Sequence, residues 1–265
     1  MKKKFVVFLS IVMWSSFVHS NQDCEIKWDD MSERIYQKGD LPGMIKNWTA
    51  LETSCSKSDF FYLKLGWLLI EAAEFDKARD AFLKGVELSG NFKVDVELGL
   101  IDLYFQRATR SSNTLDKALL ETANIEIEKF VQKHPQRAEG LALISGVKLV
   151  LEEYETSVNY GLRAVKIADL PVAYRNMAIS YSRLLKAEET IGAANNAIEL
   201  MDSLVGDRDL MLAVSMAYYE LDEIELSYGI MQMLVEANPA LGSDPLVNRI
   251  GVSIQRKFKE LKEKK

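Results

Sequence analysis

A chain of 265 residues that is 48% hydrophobic and 27% charged, with 14 glycines and 5 prolines, is long enough to bury a large core and too apolar to stay disordered. Helix formers dominate, which points to an all-α fold. A formal charge of −6 argues against a nucleic-acid or anionic-membrane surface, and because His19 falls in the leader-like first twenty residues, one histidine and two cysteines remain, too few for a four-ligand Cys/His metal centre.

Residues 1–20 are expected to be a cleaved signal peptide. MKKK is a basic n-region, FVVFLSIVMW an apolar h-region, and Val18 and Ser20 occupy the small-residue places of a cleavage site. The apolar run is shorter than the ~20 residues of a bilayer span; an uncleaved anchor is the alternative. Asn21-Gln22-Asp23 before Cys24 lacks the small apolar residues of a lipidation site. Cleavage removes three lysines and no acid, taking the formal charge from −6 to −9. No second long apolar run follows, so a soluble exported protein, in the periplasm, is expected.

Beyond the leader, small residues recur twelve apart: Gly66 and Ala78, Ser145 and Ser157, Ala178 and Thr190, Ser215 and Ser227, and, more weakly, Ser32 and Met44. Their first members, with Gly99 added, stand 34, 33, 46, 33 and 37 residues apart. Gly99 finds its small partner at Ala123, so the extra residues of that unit lie within QRATRSSNTLDK. Such self-similarity marks a stack of antiparallel helix pairs. Gly66 and Ala78 are expected to face each other across the contact, and Gly85 to admit the first helix of the next pair. Ala164 and Ala197 stand where Gly85 does. Tyr62, Leu65, Leu69, Phe75, Phe82 and Leu88 form the large-residue pattern around them.

The predicted pairs are 25–58, 59–91, 92–135 with an insertion near 106–116, 138–169, 171–203 and 208–239. A last helix over 245–262 restarts at Asp244-Pro245 and caps the stack. In the first pair the start of one helix lies beside the end of the other. Cys24 and Cys55 stand at those places, so a structural disulfide is expected, with two buried or free thiols as the alternative. Their spacing resembles no redox or metal motif.

The order Tyr62, Leu65-Gly66, Leu69, Phe75, Ala78, Phe82, Gly85 resembles the tetratricopeptide repeat (TPR), as does Tyr174, Met177-Ala178, Tyr181, Ala197, Leu200, with Pro135 and Pro239 at the closing-proline places. Thr190, Ser227, Phe130, Leu234 and Met44 depart from the pattern. The resemblance implies a right-handed α-solenoid of about six pairs that binds partners along a concave face lined by the first helices. By register that face takes Phe60, Leu63, Trp67 and Ile70; Val96, Leu100 and Leu103; Arg175, Ile179 and Arg183; and Leu212, Met216 and Tyr219. These residues are either groove or core, and the pattern alone leaves both open. Leu63 and Trp67 stand where the polar residues of a carboxylate clamp would be. Arg175 and Arg183 are the candidates for holding an acidic group.

Catalytic machinery is not indicated. After cleavage His134 is the sole histidine, beside Pro135 at a helix end. No G-x-S-x-G, G-x-x-x-x-G-K-[ST] or G-x-G-x-x-G occurs, and Glu152-Glu153 and Glu188-Glu189 read as solvated turns. Asn47-Trp48-Thr49 matches a glycosylation sequon, but Trp48 belongs to a buried helix face. The expectation is a non-catalytic scaffold of the bacterial envelope without cofactor or metal. Its partner is an envelope protein or peptide, and a place beside a membrane complex stays open. The alternative is a carrier or holdase for hydrophobic peptides or lipid chains.

Overall fold

The computed structural model describes residues 22–36, 40–88, 90–110 and 114–263. The expected signal peptide and part of the insertion lie outside the described residues. Among those described are fourteen α-helices, two short 3-10 turns and no strand. They divide into two compact units, which meet in sequence at Lys133 and His134.

The first unit holds α1 (Gln22–Tyr36), α2 (Leu41–Thr49), α3 (Glu52–Cys55), α4 (Asp59–Glu71), α5 (Phe75–Leu88), α6 (Lys93–Arg110) and α7 (Lys117–Lys133). The second half of the first pair, expected as one helix, is broken into α2 and α3. Asp40 starts α2 by accepting the Gly43 N–H at 3.0 Å, with Pro42 in the first turn, where its missing donor costs nothing. Cys24 and Cys55 form the disulfide, Cα atoms 6.1 Å apart, tying α1 to α3. Trp48 is fully buried; its indole stacks on Phe61 and donates to the Phe61 carbonyl at 3.0 Å.

A Cβ on Gly66, or on Gly99 of the next first helix, would run into the Phe82 ring. One aromatic therefore fills the space that two glycines leave. Gly85 does admit the next pair: a Cβ there would stand 3.1 Å from Val96 of α6. The insertion lengthens α6 to 18 residues, and Asp116 caps α7 by accepting from the Ala118 and Leu119 N–H groups, both at 3.1 Å.

The second unit holds α8 (Ala138–Val150), α9 (Tyr154–Val165), α10 (Pro171–Arg183), α11 (Ala187–Leu200), α12 (Arg208–Glu220), α13 (Ile224–Ala237) and α14 (Pro245–Glu263). The 37-residue spacing between Ala178 and Ser215 is explained by a 3-10 turn, Asp202–Gly206, inserted between α11 and α12. Two of the twelve-residue pairs are clasps. Ser145 donates to the Ser157 carbonyl at 2.9 Å, and Ser157 returns the bond to the Ser145 carbonyl at 2.8 Å. Ser215 and Ser227 repeat this at 3.0 and 2.8 Å. Ser180 of α10 adds a bond to the Ser157 hydroxyl at 2.9 Å. All five serines are fully buried.

Pair turns are also uniform. Ala73, Glu152, Leu185 and Asp222 each sit at φ near 60° in the middle of a three-residue turn. In each, the next N–H reaches back to a carbonyl five residues earlier, as in Glu74 to Leu69 at 2.8 Å and Glu153 to Lys148 at 2.9 Å. Finally, Asp244 caps α14, and Val247, Ile254 and Phe258 lay that helix on α13, with Phe258 stacked on Tyr228 at 4.6 Å.

Candidate functional site

The thirteen residues assigned to a concave face separate into three groups. Phe60, Leu63, Ile70, Val96 and Leu103 are 7, 1, 0, 0 and 2% exposed and share one core in the first unit. Ile179 and Leu212 of the second unit, at 6 and 5%, are equally buried. These seven hold helices together and do not face solvent, which corrects the groove reading for them. Trp67, Leu100, Arg175 and Met216 are half-buried; Arg183 and Tyr219 are exposed.

Arg175 is not open to an acidic ligand. Its guanidinium makes a two-pronged pair with Asp207, Nε to Oδ2 at 3.0 Å and Nη2 to Oδ1 at 3.2 Å, and Asp207 also caps α12 at the Leu210 N–H, 2.9 Å away. The pair locks α10 to the start of α12. Tyr219 lies under the Lys257 ammonium of α14, 4.5 Å from the ring centre.

A surface with chemistry does form on α4. Lys64, Trp67 and Glu71, all half-buried, follow the buried Phe60 at i+4, i+7 and i+11, so the four make one stripe along the helix, of which the last three reach the surface. Lys64 rests its ammonium over two rings, 5.1 Å from the Trp28 centre on α1 and 5.2 Å from that of Phe60. Burial lowers the Lys64 pKa, while Asp29, Asp95 and Glu25 act to raise it. Trp67 stands edge-on to Phe82 at 5.7 Å, and its indole N–H is buried without an acceptor among the described residues.

At the far end of the stripe, burial pushes the Glu71 carboxyl up to about 7; Arg110 opposes this and Asp102 of α6 adds to it. Asp102 is 4% exposed. Burial raises it to about 6, against the Gln106 amide that donates to Oδ1 at 3.2 Å and against Arg110; Oδ2 has no hydrogen-bond partner among the described residues. Arg110 itself donates to the Glu71 carbonyl at 3.3 Å. The stripe is therefore an aromatic surface with a cation at one end and, at the other, the carboxyl of Glu71 with the buried Asp102 of α6 near it. Sequence reasoning named Phe60 and Trp67 but missed Lys64 and Glu71, which the same spacing from Trp67 would have found.

A shallow cleft of about 370 Å³ lies elsewhere, between α13 and α14, lined among others by Tyr228, Met231, Val235, Val247 and Val252. Among the described residues no group of three His, Cys, Asp or Glu could hold a metal ion, and no helix is long and apolar enough to cross a membrane.

No family profile and no curated protein matches the chain. Solved structures do. One is a chain of the APC/C hetero-tetramer Cut9-Hcn1, 12% identical, with a TM-score of 0.67, covering 89% of this chain and 46% of that one. Another is TTC0263, a thermophilic TPR protein from Thermus thermophilus, 13% identical, with a TM-score of 0.54, covering 75% of this chain and 99% of that one. At these identities the likeness establishes the fold: a helical repeat of the tetratricopeptide type.

Proposed function

We propose that the chain is a non-catalytic scaffold, exported to the periplasm of a bacterial envelope, that holds a partner protein or peptide against the α4 stripe. The observation behind this reading is the half-buried Trp67 beside a lysine ammonium laid across the Trp28 and Phe60 rings. Aromatic area with a few fixed polar groups is the composition of a protein-contact core. The fold likeness to a subunit of a hetero-tetramer supports the same class of role. A carrier for hydrophobic chains would need an open apolar channel, and the burial of Leu63, Ile70, Val96 and Leu103 leaves little of one in the first unit.

The test is purification of the tagged protein from crosslinked cells, with and without Trp67→Ala. A scaffold yields one stoichiometric protein partner that the substitution removes. Heterogeneous unfolded or lipidic cargo would favour the carrier, and no Trp67-dependent partner would defeat the proposal.

A further inference from the structure

Of the four pair turns, three place alanine, glutamate or aspartate in the left-handed region. The fourth places Leu185 there, at φ 57° and 74% exposed. A leucine at that position is unfavourable twice, through its Cβ in a left-handed backbone and through an apolar side chain left in water. The next pair turn of the same unit adds Leu221, 43% exposed. Around these two leucines stand exposed carboxylates: Glu188 and Glu189 open α11, and Glu220 and Glu223 flank the Leu221 turn. No ion pair among the described residues engages these four. Arg183 and Lys186, also exposed, flank Leu185, so the result is an apolar edge whose rim carries these four acids against two bases and is acidic on balance.

The same unit carries a surface of the opposite sign. On α14, Arg249, Val252, Arg256 and Lys259 follow at i, i+3, i+7 and i+10 and are exposed, on the side away from the buried Val247 and Ile254. Val252 is 54% exposed, and the three cations likewise make no ion pair among the described residues. Glu260 and Glu263 interrupt the basic stripe only in the last turns. The two surfaces are neighbours, because Lys257 of α14 pairs with Asp222 of the Leu221 turn at 2.9 Å.

We propose that these surfaces form an interface between two copies of this chain. The basic stripe of α14 in one copy lies on the Leu185–Leu221 edge of the other, and the reverse contact closes the pair about a two-fold axis. A two-fold interface uses one self-complementary patch twice, and adjacent surfaces of opposite charge, each with an exposed apolar centre, make such a patch. A second copy is the occupant because both complementary halves are present on one molecule. The inference is independent of the α4 stripe and stands or falls without it.

Sedimentation velocity on the full exported protein tests it. A dimer is expected at low salt, with affinity falling about tenfold or more at high salt as the rim charges are screened. Leu185→Glu should give a monomer with an unchanged circular dichroism spectrum. The decisive arm is charge exchange. The Glu188→Lys/Glu189→Lys chain and the Arg256→Glu/Lys259→Glu chain should each be monomeric alone and should pair one-to-one when mixed, because both contacts then again join opposite charges. A parent chain that stays monomeric at every concentration, a dimer indifferent to these changes, growth beyond a dimer, or a mixture that fails to pair would overturn the proposal.

Discussion

Ser145 and Ser157 show how much a single residue can hide. In the sequence they register only as small side chains twelve apart, a property they share with Gly66 and Ala78. In the fold each hydroxyl closes on the other's main-chain carbonyl, so the pair is a buried hydrogen-bonded clasp. Size was legible and bonding was not, since the same spacing serves both uses. Ser157→Ala should cost about 1–3 kcal/mol in urea denaturation, because the Ser145 carbonyl and the Ser180 hydroxyl both lose a buried partner. Ser145→Ala/Ser157→Ala should cost less than the sum of the single changes, since the two hydroxyls also touch each other at 3.3 Å and that contact is lost only once. Glu152 gives the opposite sign. It holds φ 63° in an exposed turn, and Glu152→Gly should raise stability by about 1 kcal/mol by relieving the left-handed strain. A measured loss of stability would mean the glutamate side chain does something in the turn that its geometry does not reveal.

Among the elements, α4 explains where sequence reading stopped. Its sequence DFFYLKLGWLLIE is apolar on nearly every side, and a helix apolar all round is buried all round. Periodicity cannot then tell groove from core, and so the register puts Leu63 and Ile70 on one face with Trp67. The first pair was legible at its ends, where Cys24 and Cys55 meet, but the break between α2 and α3 was not, because nothing at Ala50-Leu51 stops a helix by itself. Closing a loop of 31 residues, that disulfide should contribute about 3–4 kcal/mol. Mild reduction should therefore raise amide exchange in residues 22–55 while leaving α8 through α13 protected.

The acids at the end of α4 and in the middle of α6 set a pH dependence. Asp102 and Glu71 keep their protons in the folded chain up to about 6 and about 7, whereas in the unfolded chain they ionise near 4. Between those values the folded state binds more protons, so stability falls as pH rises from about 4 to 7 and then levels off. For Asp102 alone the loss is on the order of 3 kcal/mol. Asp102→Asn should reduce that slope, leaving the part due to Glu71, and be more stable than the parent at pH 8 in denaturant titrations; an unchanged slope would contradict the assignment.

Over the whole molecule, the repeat spacing located the helix pairs because stacking demands a small residue at each close approach, and the sequence cannot disguise that demand. The extra residues in the third pair and between the fifth and sixth were visible as irregular spacings, yet their form, a longer α6 and a 3-10 turn before α12, depends on packing that no local pattern encodes. Function was the least legible, since a binding surface differs from a core only in what finally covers it. The most direct measurement is therefore in-cell photocrosslinking from position 67 of the exported protein, with the products identified by mass spectrometry. A scaffold whose α4 stripe holds a partner gives one discrete protein adduct. Crosslinks confined to the chain itself, with Trp67 serving only as packing against Phe82, would contradict it.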